Sequence, residues 1–115
     1  MNIAQAMASV VTRLSHAGIR ATTDERDVNP PCVFVPAPAV VFRFGGRCWD
    51  ATYALVCVVP DAGRLANLTA LGELLDATNR ALDGGCIDGA PVSFAGVEGS
   101  PPLPAYTLRL AESID

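Results

Sequence analysis

Residues 40–60 read VVFRFGGRCWDATYALVCVVP, and the reading of this stretch decides the fold. Gly45-Gly46 is the strongest hairpin signal in the chain, because two adjacent glycines accept the positive backbone angles of a tight turn. Before it, Val40 to Phe44 predicts a short strand. After it, Trp49 to Val59 predicts a long one, ended by Pro60. Tyr53, Leu55, Cys57 and Val59 fall on one side of that strand, and Thr52, Ala54, Val56 and Val58 on the other. Both sides are largely apolar, so the strand is expected in the middle of a sheet, either covered on both faces or lying at a subunit contact.

Upstream, Cys32 to Val35 forms a compact strand candidate, and Pro36 and Pro38 stop it or confine its continuation to a sheet edge. Asn29-Pro30-Pro31 reads as a turn, Asp24 to Asp27 as a charged cluster, and Ile19 to Thr23 as a short extended piece. The N-terminal segment has helical periodicity. Ile3, Met7, Val10, Val11 and Leu14 share one face, Gln5, Thr12 and Arg13 lie opposite, and Gly18 is placed to end the helix. Downstream of Pro60, Asp61 or Gly63 caps a second helix over Arg64 to Leu82. Leu65, Leu68, Leu71, Leu75 and Leu82 are expected as its core stripe, with Leu74 beside it. Gly84-Gly85 ends the helix. Pro91 to Val97 and Ala105 to Ala111 follow as strands, and in the second Tyr106, Leu108 and Leu110 alternate with Thr107 and Arg109 to make one buried and one wetter face. The order α-β-β-β-β-α-β-β predicts an α+β fold. It is a mainly antiparallel sheet of about five or six strands packed by two helices, in one domain spanning 1–115.

Composition narrows the function classes. The chain has 115 residues, half of them hydrophobic but only seven aromatic, so Ala, Val and Leu must build the core. Eight Arg and no Lys stand against twelve acidic residues, and a formal charge of −4 disfavours a grip on nucleic-acid phosphates. No basic region precedes the first apolar run, and the longest uncharged stretch, Val28 to Phe42, contains four prolines. The expectation is an intracellular, soluble protein with no membrane contact. The cysteines Cys32, Cys48, Cys57 and Cys86 show no paired spacing, and the one histidine, His16, lies on another segment. No metal site, disulfide or cofactor is expected. Gly45-Gly46 and Gly84-Gly85 lack the lysine and spacing of a phosphate loop. Cys48 near Asp50 suggests a nucleophile only if His16 reaches it, and nothing in the sequence places it there. Asp83 and Asp88 around Gly84-Gly85 read as ordinary turn residues.

The candidate contact residues lie elsewhere. Arg43 and Arg47 flank the hairpin turn and Trp49 follows, and Arg and Trp are enriched at the energetic centres of protein interfaces. The other reading has a solvated hairpin with Trp49 tucked into the core. Pro101 and Pro102 stiffen a loop of low charge that serves either as a contact or as a connector. The residues themselves therefore point to a non-enzymatic α+β domain with partners.

Three stretches in order carry a resemblance. The run Asp27-Val28-Asn29-Pro30-Pro31-Cys32-Val33 resembles the segment before an early strand in tail terminator proteins of long-tailed, siphovirus-type actinobacterial phages. The pattern Ala51-Thr52-Tyr53-Ala54-Leu55 running to Val58-Val59-Pro60, followed by a Leu-rich helix, is similar to the centre of those proteins. The ending from Pro101-Pro102-Leu103-Pro104 through Ala105-Tyr106-Thr107-Leu108 is similar to theirs. The resemblance covers most of the chain, and the Arg-only, Ala-rich composition fits a GC-rich genome. It implies a virion structural protein assembled in the host cytoplasm and placed at the head–tail junction. There a homo-oligomeric ring, usually a hexamer, would cap the tail tube, stop its polymerisation and join the tail to the head-side connector or stopper protein. DNA would pass through the lumen without specific binding, and no catalytic residue or cofactor carries over. The alternatives are another neck or tail component, such as a head-closure protein or tail-tube subunit, and a small non-viral binding module.

Overall fold

A computed structural model describes residues 2–43, 45, 48–95 and 101–114. Helix α1 (Ile3–His16) starts on a reciprocal cap, in which the Asn2 side chain accepts from the Gln5 amide at 2.8 Å and the Gln5 side chain accepts from the Asn2 amide at 3.0 Å. Ala6, Val10 and Leu14 are its buried residues, each one helical turn from the next. Gly18 ends it at φ +79°, and the Gly18 and Ile19 amides donate back to Ser15 and Leu14.

The chain then lays down β1 (Ala21–Thr22), a 3₁₀ turn at Glu25–Asp27 capped by Asp24, and β2 (Cys32–Phe34). Next come β3 (Ala39–Arg43) and β4 (Cys48–Val58), then helix α2 (Arg64–Ala81), and finally β5 (Cys86–Phe94) and β6 (Leu103–Ile114). The six strands form one sheet in the order β1-β2-β4-β6-β5, with β3 also paired to β4. All pairings are antiparallel except β1 with β2. The α+β architecture and element order agree with the sequence reading. The expected strand at Pro91 to Val97 is shifted upstream, to Cys86–Phe94, and Gly96 and Val97 lie outside the described residues.

Both β2 and β3 pair with the same edge of β4, one after the other. Phe34 stands opposite Val56 and Ala39 opposite Thr52, so residues 35–38 face only residues 53–55. One residue too many is thus accommodated where Pro36 and Pro38 have no amide hydrogen to offer a ladder. Together β2 and β3 form a single long strand, broken by a bulge that the prolines tolerate.

Side-chain alternation assigns the two faces. On β4, Ala51, Tyr53, Leu55 and Cys57 point to the helices and are fully buried; Leu108 and Leu110 of β6 and Val33 of β2 join them. On the other face Ala54 and Arg109 are exposed, whereas Cys32, Val58 and Ala105 are buried without a helix above them. The sheet covers these itself. Phe34 and Phe94 lie on strands three spacings apart, about 14 Å in a flat sheet, yet their ring centroids are 5.9 Å apart. At this end the sheet curls strongly.

The second helix departs from its expected stripe. Only Leu71 and Thr78 are buried within it, joined by Leu82 just beyond; Leu74 and Leu75 are half-buried, while Leu65 is 78% and Leu68 51% exposed. The i, i+3 spacing of Leu65, Leu68 and Leu71 drifts about 60° per step around a helix of 3.6 residues per turn. The stripe therefore rotates away from the sheet toward the N-terminus. At the other end Asp83, at φ +58°, takes the left-handed position before Gly84. The Asp83 and Gly84 amides close the helix onto Arg80 and Asn79.

Candidate functional site

Two surfaces at opposite ends of the β4–β6 ladder leave large apolar side chains in water. The first is the β3–β4 arm. Beyond the rung Val40↔Ala51 the pairing continues through Val41↔Asp50, Phe42↔Trp49 and Arg43↔Cys48. Phe42 is on the helix side of the sheet by alternation, yet it is 61% exposed, so these rungs lie past the helices' cover. Trp49 is half-buried against the core margin and meets Phe42 edge to face, centroids 5.3 Å apart. Val41, on the opposite side, is 65% exposed. Arg43 is bound into the arm itself: its Nε lies 2.7 Å from Asp50 and its guanidinium donates to Ser113, whose hydroxyl donates to Asp50. This network ties β3, β4 and β6 together on the open face.

The second surface is a groove of about 540 Å³ between the N-terminal half of α2 and the β5–β6 ladder, lined mainly by Leu68, Leu71, Pro91, Val92, Pro104 and Tyr106. It exists because α2 packs on β4 and β6 and leaves β5 largely uncovered, with residues 87–93 all exposed. Asp61 and Arg64 stand at its helix end. The Asp61 carboxylate accepts from Asn67 Nδ2 at 3.0 Å and from the Gly63 amide, and these bonds, that from Asn67 first, hold its pKa below the usual carboxylate range. Asn67 Oδ1 in turn accepts from the Ala62 amide at 2.8 Å. The helix start is thus fastened by Asn67, because Gly63 at the cap has no side chain.

Of the contact residues expected from sequence, Arg43 and Trp49 are brought onto adjacent rungs but point to opposite faces. Arg47 lies outside the described residues. Pro101 and Pro102 are exposed and lead directly into β6, so they sit at the far end of the ladder from the hairpin. The sequence reading missed Val41, Phe42, Leu65, Leu68 and Val92 as surface residues. Helical-wheel arithmetic on α2 alone would have found Leu65, which lies about 120° from Leu71.

The titratable groups offer little chemistry. Burial pushes the Cys57 thiol up to about 12, against a contact to the Thr78 hydroxyl, and burial also raises Cys32 and Cys86. A raised pKa disfavours the nucleophilic thiolate. Cys48 pairs with Arg43 on the open side of the sheet, whereas His16 ends α1 on the other. The sheet itself separates the Cys–His pair that the sequence left open. Among the described residues no group of three or more His, Cys, Asp or Glu could hold a metal ion. No helix among them is long and apolar enough to cross a membrane.

A scan against protein-family models finds no match for the chain, and a search of curated proteins finds no significant relative.

Proposed function

We propose that this chain is an architectural protein of a long-tailed phage, a tail terminator that assembles as a ring on the head-proximal end of the tail tube and joins it to the head-side connector. The observation that carries the reading is the β3–β4 arm, which holds Val41 and Phe42 in solvent beyond the helices. An apolar projection of this kind on a small domain is a liability for a monomer and an asset for an assembly. The ordered resemblance of residues 27–33, 51–60 and 101–108 to terminators supplies the particular assembly. The role is mechanical and requires neither cofactor nor catalytic residue.

The charge agrees with passage of DNA through such a ring. Six copies at −4 each carry −24, which repels phosphates and opposes sticking. Electron microscopy of tails assembled with and without the protein tests the reading. The expected result is one ring at the head-proximal end when it is present and tubes of uncontrolled length when it is absent. Long filaments of the purified protein would instead make it a tube subunit, and tails that are unchanged by its removal would refute the terminator role.

A further inference from the structure

We propose that copies of this chain associate head to tail, the β3–β4 arm of one seating Val41 and Phe42 in the groove between α2 and the β5–β6 ladder of the next. The proposal deepens the terminator reading and rests on it for the closure of the chain of copies into a ring.

The exposed apolar side chains are the starting point. Among the described residues six large hydrophobics stand open to water, and four belong to these two surfaces: Val41 and Phe42 on the arm, and Leu68 and Val92 lining the groove. One surface projects and the other recedes. A groove of about 540 Å³ falls in the range of sites that enclose several side chains' worth of apolar matter. The charges beside them match in kind. The arm carries Arg43 beside Asp50, and the groove mouth carries Asp61 and Arg64, one cation and one anion on each side. Docking therefore opposes no excess of like charge.

Position then dictates the symmetry. The arm lies at the Trp49 rung and the groove at the Val58↔Ala105 rung, nine residues along β4, or about 30 Å at the rise of a strand. The two surfaces cannot meet within one molecule. A two-fold pairing of arm on arm would leave every groove open. A contact between unlike surfaces covers both at once and repeats from copy to copy, giving a ring where the rotation closes.

Complementation of two variants tests the contact. Phe42→Asp spoils the arm and keeps the groove; Leu68→Asp spoils the groove and keeps the arm. Both positions are more than half exposed, so circular dichroism and melting temperature should stay close to those of the wild type. Val92→Asp, at a second exposed lining position, replaces Leu68→Asp if that variant melts early. Native mass spectrometry should show the wild type as an oligomer and each variant as a monomer. An equimolar mixture of the two variants should give a heterodimer and nothing larger, because only one good arm and one good groove remain to meet. Variants that assemble like the wild type, a mixture that stays monomeric, or a wild type that is monomeric at the highest attainable concentration would each overturn the contact. Wild-type rings that survive both substitutions leave the ring standing without this contact. Open wild-type filaments that both substitutions abolish leave the contact standing and remove the ring.

Discussion

Truncating two leucines of the same helix should have very unequal consequences. Leu71 is 4% exposed and Leu65 is 78% exposed, though both belong to the one apolar repeat of α2. Leu71→Ala removes a buried side chain from between the helix and the sheet. Buried Leu→Ala changes cost about 2–5 kcal/mol, the spread reflecting how far the site collapses, and a helix margin that adjoins an open groove belongs near the middle, about 3 kcal/mol. Leu65→Ala removes a side chain with roughly a fifth of its surface covered. A full Leu burial contributes about 1.5–3 kcal/mol, so the loss is about 0.5 kcal/mol, and the better helix propensity of Ala offsets part of it. Urea unfolding followed by circular dichroism measures both, at a concentration where wild type and variants are monomeric, since association would add its own stabilisation. With equal slopes against urea, the difference between the variants should be about 2.5 kcal/mol. On heating, Leu71→Ala should melt about 12 °C lower than wild type, at about 4 °C per kcal/mol for a domain of this length. Equal losses from the two truncations would mean that the helix is rotated about its axis and that the groove beside it has a different lining.

Three further outcomes follow from the packing. The Tyr53 hydroxyl is buried with no hydrogen-bond partner among the described residues, so Tyr53→Phe should stabilise the protein by about 1 kcal/mol in the same urea assay, and a loss of that size would mean the hydroxyl is bonded after all. Stability should fall in alkali. The Cys57 thiol titrates near 9 when unfolded but is held up to about 12 in the fold, so above pH 9 the unfolded chain binds fewer protons. Its contribution is complete below about pH 9 and is lost toward pH 12, at a slope approaching about 1.4 kcal/mol per pH unit; Cys57→Ala should flatten that part of the pH profile, and an unchanged profile would place the effect elsewhere. Gly89→Val should destabilise by about 1–3 kcal/mol, because a Cβ there would lie 3.0 Å from the Thr107 carbonyl oxygen and 3.2 Å from Leu108 and would push β5 off β6; thermal melting checks it.

The pairing of β3 with β4 and the long strand β4 were legible because period-two alternation is a local signal; Phe44 and Gly46 of the expected strand and turn lie outside the described residues. The same is true of α1, where Val10 and Leu14 of the expected face are buried, though Ala6 joins them in place of Met7, and of β6, where Leu108 and Leu110 are buried and Arg109 is not. The first half of β5 was not legible. Ile87, Asp88, Gly89 and Ala90 carry no alternation; Asp88, Gly89 and Ala90 pair with β6 because its backbone offers a ladder, and Ile87 is the bulge that shifts the register. The candidate site was legible only at Arg43 and Trp49, and even there the partners were not. That Arg43 would be held by Asp50 and Ser113 depends on β6 lying beside β4, seventy residues from Arg43 in sequence.

The sequence by itself determined the classes of element, their order and the faces of β4 and β6, since these follow from the geometry of one backbone segment at a time. Tertiary structure alone decided which apolar residues stay in water. Leu65 and Leu71 are chemically identical and share a helix, and what separates them is where α2 crosses the sheet. Likewise Phe42 is on the helix side but beyond the helices' reach. Burial is a property of what lies opposite a side chain, and the residues opposite are supplied by distant parts of the chain, so the arm and the groove came into view only once the sheet was assembled.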